Sequence, residues 1–240
     1  MKHIKSSKRA RAAAVAAPKQ ASPAREFAAS SATWLDHLAE GSAATALTFA
    51  GQGSPWLSEL AACWASTPSV RDLVCAVQTH LQGTLDSDDF AFSGRTVQGL
   101  ELVAWCSDPD SRPPAKYLSS SAISQPGIFL AQIARYVEAY ETGLSRVISA
   151  GSVVGAAGHS QGVMAALLVT ESATTDGGRI DSQRCAEYAE YMLWQGLWMA
   201  RAWQQSPASS HDGAPMLAVS GIDRAELQRT IDDVASFGDS

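Results

Sequence analysis

The sequence predicts an α/β fold, because two strand-like runs each lead through a Gly-rich turn into a helix-like run. In the first segment, Ala44–Ala50 leads into Gly51-Gln52-Gly53-Ser54 and then into a helical pattern. In the second, small and β-branched residues over Ile148–Ala157 precede Gly158-His159-Ser160-Gln161-Gly162, and the apolar run Val163–Val169 follows. Strands that alternate with helices in this way are typical of a parallel sheet covered by helices.

The second turn has the Gly-x-Ser-x-Gly pattern of a nucleophile elbow, a strained turn that presents a serine between a strand and a helix. The residues two places before and after the serine approach other backbone closely, so Gly158 and Gly162 fit where a side chain would clash. The next helix directs its N-terminal N–H groups at the site and favours a developing anion there. We therefore expect Ser160, within the elbow 156–164, to be the nucleophile. The alternative is a Gly-rich turn with a solvent-facing serine.

Length and composition limit the class of protein. A chain of 240 residues, 46% of them hydrophobic, can bury one sizeable core. No apolar run reaches the roughly 18 residues that a membrane span needs. The cysteines have no metal-site or Cys-x-x-Cys spacing, which predicts buried free thiols in the reducing cytoplasm and no metal site. They are Cys63, Cys75, Cys106 and Cys185.

Charge is divided unevenly along the chain. Residues 1–25 contain 7 Lys/Arg and no Asp/Glu, whereas the rest contains 11 Lys/Arg and 24 Asp/Glu. An acidic body argues against nucleic acid as a partner. Residues 1–31 have too few large apolar side chains to form a core, so we predict a disordered basic head. Two alternatives remain open for it, a contact with an anionic surface through Lys8-Arg9-Ala10-Arg11 and an organellar transit peptide.

Helical spacing indicates three helices in the first part of the chain. A short helix is expected over Thr33–Ala39. Ser54 and Pro55 have the residue types of a helix start, and apolar residues follow at helical spacing. The next helix is expected over Ser69–Gln82, with a surface residue, His80, near its end and an inward apolar face. That face comprises Val70, Leu73, Val74, Val77 and Leu81. Residues 83–115 are poorly patterned, and 99–106 fit either a helix or a strand.

Three further helices are predicted around and after the elbow. Ser124-Gln125-Pro126 is expected to start a strong helix that Gly143 ends. A long aromatic helix is expected over Arg184–Trp203, and a final helix begins at Asp223 and runs through Val234. Between these last two, the pattern predicts a loop over Ser206–Gly213 and a strand over Ala214–Ser220.

Three stretches, taken in order, resemble a known family. They are the strand into Gly51-Gln52-Gly53-Ser54, the Gln125-Pro126 helix start and the Gly158–Gly162 elbow. Together they are similar to the acyl-CoA:acyl carrier protein transacylases, and most of all to the N-terminal acetyltransferase domain of bacterial and fungal type I fatty acid synthases. The resemblance implies an α/β-hydrolase-like core at 32–213 and the beginning of a ferredoxin-like small subdomain at 214–240.

The resemblance also implies a mechanism. Ser160 would attack the thioester of an acyl-CoA and form an acyl-serine ester, which would pass to the phosphopantetheine thiol of an acyl carrier protein. The backbone N–H groups of Gln161 and Gln52 would form the oxyanion hole, and Gly51, Gly53 and His159 would contact the substrate. No permanently bound cofactor and no metal are implied. The expected partners are acyl-CoA, the carrier protein and other synthase domains within a large cytoplasmic oligomer, with no nucleic acid and no membrane.

One position bears on the choice of acyl group. Malonyl-selective members of the family have an arginine on the helix after the elbow helix, and the local pattern aligns it with Gln195. A neutral glutamine does not neutralise a malonyl carboxylate, whose unpaired burial costs several kcal/mol. We therefore expect a short neutral acyl group, acetyl above all. Arg201 is close enough in sequence to be an alternative partner for a carboxylate.

The family's general base is a histidine that follows the small subdomain, and the sequence contains no match to that region. Its histidines are His3, His37, His80, His159 and His211. We therefore expect the sequence to stop before the catalytic histidine. Two other functions remain open: a serine esterase or thioesterase of the α/β-hydrolase type, and a catalytically incomplete fragment that acts as a scaffold.

Overall fold

The structure, a computed structural model, describes residues 34–41, 43–53, 55–87, 99–205 and 223–238. The predicted basic head 1–31, the loop Ser206–Gly213 and the strand Ala214–Ser220 lie outside these ranges. Within them, no helix is both long enough and apolar enough to cross a membrane.

Helices account for most of the described residues, and two short strands complete the fold. In chain order the elements are α1 (34–39), β1 (Thr45–Phe49), α2 (Trp56–Ser66), α3 (Pro68–Leu85), α4 (Leu102–Ser107), α5 (Ala115–Leu118), α6 (Ser121–Ala139), α7 (Ser145–Ser149), β2 (Val153–Gly158), α8 (Gly162–Thr175), α9 (Ser182–Gln204) and α10 (Arg224–Gly238). A 3₁₀ turn at Pro109–Ser111 and a π turn at Tyr140–Leu144 join neighbouring helices.

The two strands form a parallel pair, with Thr48 opposite Ala157 and Phe49 opposite Gly158. The N–H of Thr45 donates to the carbonyl of Ser152 at 2.8 Å, where the pair begins. Because parallel strands end at the same edge, the turn after β1 and the turn after β2 emerge side by side. The α/β class is therefore confirmed, and this pairing brings the two Gly-rich turns together.

The core surrounds α6, which packs against α2, α8 and α9. Phe129, Leu130 and Ile133 of α6 are completely buried. The predicted inward face of α3 is confirmed, because all five of its residues are buried. They are Val70, Leu73, Val74, Val77 and Leu81. The helical spacing of these residues therefore identified the right face of the helix.

Two predicted helix starts were misplaced. Helix α6 begins at Ser121, so Pro126 lies inside it instead of near its start. Pro126 has no N–H for the carbonyl of Ala122, but the residues from Ala122 to Ala131 are all buried, and their burial outweighs one missing hydrogen bond. Helix α2 begins at Trp56, and Pro55 lies just before it instead of at its first position.

The strand before the elbow is shorter than predicted. Ile148 belongs to the helical turn α7, and β2 starts only at Val153. Gly151 separates them in the left-handed conformation, with φ 71°. The ambiguous segment 99–106 forms a helix, α4, at Leu102–Ser107.

Two exposure predictions also need correction. Cys75 is exposed, whereas Cys63, Cys106 and Cys185 are buried free thiols as predicted. His80 is not a free surface residue: its side chain is 25% exposed and lies 2.7 Å from a carboxylate oxygen of Glu190 on α9. The helical pattern does not indicate that second contact, because it comes from an element that is distant in sequence.

Candidate active site

Ser160 lies at the tip of the turn between β2 and α8, and it is exposed. Its φ is 53°, and it is the only residue other than glycine with positive φ in the described ranges. The turn is held by two short-range bonds, from Gly162 N–H to the His159 carbonyl at 2.9 Å and from Val163 N–H to the Ser160 carbonyl at 3.2 Å. A serine held in this strained conformation, at a turn between a strand and a helix, has the geometry of a nucleophile elbow.

The glycines on either side of Ser160 are required by close backbone approach. A Cβ atom on Gly158 would overlap the backbone of Gly162 and Val163. One on Gly162 would overlap the carbonyl groups of Phe49 and Ala50 at the end of β1. The predicted reason for these two glycines is therefore confirmed, and the second contact shows that the elbow is packed directly against the first turn.

The turn after β1 lies against the nucleophile. His159 N–H donates to the Phe49 carbonyl at 2.9 Å. Gly51 is buried, and a Cβ there would lie 2.9 Å from Nδ1 of His159 and 3.2 Å from Cβ of Ser160. Gln52 and Gly53 follow as an exposed turn. The structure thus brings Gly51, His159 and Ser160 together, with Gln52 as the adjoining residue.

Two backbone N–H groups, one in the elbow and one in the adjoining first turn, remain available as donors. Among the described residues, no protein acceptor takes a hydrogen bond from the N–H of Gln161 or of Gln52. The N–H of Gln161 also lies at the start of α8, where the helix dipole favours negative charge. These two groups are therefore free to donate to a ligand oxygen.

Three glutamines surround this junction, Gln125 and Gln161 buried and Gln132 half-buried, and the sequence did not single out their side chains. Nε2 of Gln161 lies 3.5 Å from the backbone carbonyl of Gln125 on α6. Nε2 of Gln132, also on α6, donates to the carbonyl of Ala50, just before Gly51. In the described part of the chain, the buried side-chain oxygens without a partner are Oε1 of Gln125, Gln132 and Gln161. The sequence feature that could have identified them is the pair Gln125 and Gln132, two glutamines in the otherwise apolar part of α6.

Helix α9 approaches the elbow through α6. A Cβ on Gly196 would lie 2.7 Å from the carbonyl carbon of Ser121 and 2.9 Å from Cα of Ala122, so the two helices are in backbone contact there. Nε2 of Gln125 lies 3.5 Å from Sδ of Met199. Gln195 precedes Gly196 and is exposed. The structure therefore places Gln195 on the helix that reaches the elbow junction.

Among the described residues, the buried thiols and the histidines are not arranged for nucleophilic or metal chemistry. Burial raises the pKa of the Cys63 thiol to about 12 and that of Cys106 to about 11, so neither thiol ionises readily. Of the described histidines, His37 lies near Glu40 and His80 near Glu190, while His159 packs against Gly51. Within the same residues, no group of three His, Cys, Asp or Glu could hold a metal ion.

A groove of about 370 Å³ runs between β1 and α6. Apolar side chains form most of its wall, and the ion pair between Arg135 and Glu59, with N and O 2.9 Å apart, borders it. Its lining includes Ala50 and Gln132 but no residue of the elbow. The groove therefore adjoins the first turn and does not contain Ser160.

Comparison with known proteins gives a family match and a set of relatives that agree with each other. A family model described as "Starter unit:ACP transacylase in aflatoxin biosynthesis" matches residues 47–237. The fatty acid synthase beta subunit pkiC of Emericella nidulans is 31% identical over 175 residues, which cover 70% of this chain and 9% of that protein. The beta subunit TOXC of Cochliobolus carbonum is 28% identical over 152 residues, covering 58% and 7% respectively.

A third relative is the fatty acid synthase subunit beta of Saccharomyces cerevisiae, which is 36% identical over 77 residues, or 32% of this chain and 4% of the relative. The chain therefore spans less than about a tenth of the length of these relatives. The matched residues include both Gly-rich turns, the helices packed against them and Gln195.

Proposed function

The chain belongs to the starter unit:ACP transacylase family, and on that premise we propose that it transfers an acyl group from a coenzyme A thioester to the phosphopantetheine thiol of an acyl carrier protein, in synthesis of the fatty acid or polyketide type. The observation that carries this proposal is Ser160, held at φ 53° between a strand and a helix, with the free N–H of Gln161 next in the chain and the free N–H of Gln52 in the adjoining turn. Ser160 is the proposed covalent acceptor.

The proposed reaction has two halves. Oγ of Ser160 attacks the thioester carbonyl, the C–O bond forms, the C–S bond breaks and the coenzyme A thiol leaves with a proton. The carrier thiol then attacks the serine ester, and the hydroxyl of Ser160 is restored. In both halves, the N–H groups of Gln161 and Gln52 are proposed to stabilise the oxyanion, where one such donor is typically worth about 3 kcal/mol.

The proton of Ser160 needs an acceptor. His37 and His80 lie close to carboxylates on α1 and α9, and the resemblance treats His159 as part of the elbow. We assign the base to a residue outside the described ranges. A missing base of this kind slows acyl transfer by roughly 10²- to 10⁴-fold.

We propose that the acyl group is short and uncharged, acetyl being the first choice. Gln195 supplies no positive charge at the position that the resemblance assigns to the carboxylate-binding arginine. The nearby Arg201 has its guanidinium carbon 5.6 Å from the ring centre of Trp198, so its charge lies over an aromatic face. A malonyl carboxylate would then be desolvated without a fixed counter-charge.

Hydrolysis is the second candidate, because Ser160 is exposed to solvent. A transferase and a thioesterase share the acyl-serine and differ in what removes the acyl group. The test is to supply radiolabelled acetyl-CoA together with a holo acyl carrier protein and to measure label on the carrier against free acetate. Transfer in excess of hydrolysis supports our proposal, and acetate as the main product contradicts it. The Ser160→Ala variant is the matched control.

A further inference from the structure

The three glutamines at the elbow junction have a shared geometry that the proposed function does not explain. One amide, that of Gln132, joins α6 to the end of β1, directly before the turn that contains Gln52. Another, that of Gln161, reaches from the elbow back to the Gln125 carbonyl on α6. Glutamine side chains therefore connect both turns that contain the free N–H donors to the same helix, α6.

A contribution to the stability of the fold does not account for these side chains. Gln125 is 2% exposed and Gln161 is 6% exposed, and each leaves its amide oxygen without a partner in the described residues. A buried polar atom without a hydrogen bond typically costs about 1–3 kcal/mol. An apolar side chain of the same length would avoid that loss. Such groups in a native protein are often associated with function.

We propose that Gln161 and Gln132 are positioning residues, which hold the backbone donors of Gln161 and Gln52 at a fixed separation by bracing both turns against α6. Gln125 takes part in the same arrangement. Its backbone carbonyl accepts a hydrogen bond from the Gln161 side-chain amide, and its own side-chain amide contacts Met199 on α9. Neither brace touches the reacting atoms. This inference depends on the proposed acyl transfer, because it assigns a role within the oxyanion hole.

Preorganised donors act because they need not move when charge develops, and a displacement of about 1 Å can slow a reaction by about 100-fold. Removal of the side-chain amide of Gln161 or Gln132 is therefore expected to slow acylation and to leave coenzyme A binding unchanged. A purely structural role predicts something else, namely a loss of stability with the acylation rate of the folded fraction preserved.

The experiment compares the single-turnover rate of acetyl transfer to Ser160, followed by intact mass, in the wild type and in Gln161→Met and Gln132→Met. Methionine keeps the length and removes the amide. The matched control is Gln78→Met: Oε1 of Gln78 accepts the N–H of Val103 at 2.8 Å, in a contact between α3 and α4. The concentration of acetyl-CoA that gives half the maximal rate and the melting temperature are measured for each protein.

We expect Gln161→Met and Gln132→Met to acylate about 10- to 100-fold more slowly, with an unchanged half-saturating concentration and a melting temperature equal to or above that of the wild type. Gln78→Met should melt earlier and acylate at the wild-type rate. Wild-type rates in both brace variants would overturn the inference, as would rates that fall only with stability in all three. An absence of adduct on a wild-type protein extended through the family's catalytic histidine would instead contradict the proposed function itself.

Discussion

The backbone N–H of His159 donates to the carbonyl oxygen of Phe49 at 2.9 Å, which bonds the residue before Ser160 to the last residue of the neighbouring strand. Gly162, two residues after Ser160, packs against the same carbonyl group. The elbow is therefore bound to β1 on both sides of Ser160, and the second of these contacts leaves no room for a side chain at position 162.

Alanine at either elbow glycine should destabilise the protein. The Cβ of Gly158→Ala would overlap the backbone of α8, and that of Gly162→Ala would overlap the end of β1. We expect the free energy of unfolding, measured by urea denaturation, to fall by about 3 kcal/mol in each variant. Gly155→Ala is the matched control in β2, because a Cβ there meets no atom within 4 Å. A similar loss in all three variants would contradict this account of the elbow.

The contact between α6 and α9 should be equally sensitive. Gly196→Ala places a Cβ against the backbone of Ser121, so we expect the free energy of unfolding to fall by about 2 kcal/mol. Gly83→Ala in α3 meets no atom within 4 Å and should raise it by about 0.5–1 kcal/mol, because alanine favours a helix. Urea denaturation measures both, and a stable Gly196→Ala protein would disprove the tight helix contact.

An arginine at position 195 should change the choice of acyl group. In Gln195→Arg, a guanidinium could pair with a malonyl carboxylate, and we expect the malonyl adduct on Ser160 to form at least about tenfold faster. The measurement is intact mass after incubation with malonyl-CoA. Gln183→Arg adds the same charge at the exposed start of α9 and serves as the control. If both variants gain equally, or neither gains, Gln195 does not face the acyl group.

The pair formed by His80 and Glu190 should make stability depend on pH. Burial alone would raise the pKa of Glu190, but hydrogen bonds from His80, Trp194 and Thr84 outweigh it, and the pKa lies below its ordinary value of 4.5. A carboxylate with a lowered pKa in the folded state stabilises above its ordinary pKa and loses this contribution as the pH falls.

Glu190→Gln should therefore lower the free energy of unfolding by about 1 kcal/mol near neutral pH. The difference from the wild type should shrink as the pH falls below 4.5, the ordinary value for this carboxyl. Urea denaturation across that range measures it. Glu187 also adjoins His80 electrostatically, so Glu187→Gln is the appropriate comparison. A difference that stays constant with pH would mean that the Glu190 carboxylate is not the titrating group.

Local patterns predicted the turns well and the tertiary contacts poorly. The Gly-x-Ser-x-Gly spacing located Ser160, and the inward face of α3 followed from helical spacing, because both depend on residues a few positions apart. The start of α6 was misplaced since Pro126 is tolerated only by the burial around it. The bracing side chains of Gln132 and Gln161 were not found, because each contacts a residue more than 30 positions away.

The resemblance to acyl carrier protein transacylases, which the ordered motifs predicted, is confirmed by the family match over residues 47–237 and by the fungal synthase relatives. The roles of the individual site residues, the acetyl preference and the division at residue 214 stay predictions. So do the hydrolase-like core and the cytoplasmic location.

The central claim is that Ser160 accepts an acyl group from coenzyme A. The most direct measurement is intact-protein mass spectrometry after incubation with acetyl-CoA, with malonyl-CoA in a parallel sample and Ser160→Ala as the control. We predict one acetyl adduct on the wild type, none on the variant, and a weaker malonyl adduct. A folded protein extended through the family's catalytic histidine that gains no mass, or a Ser160→Ala variant that gains the same mass as the wild type, would contradict the account.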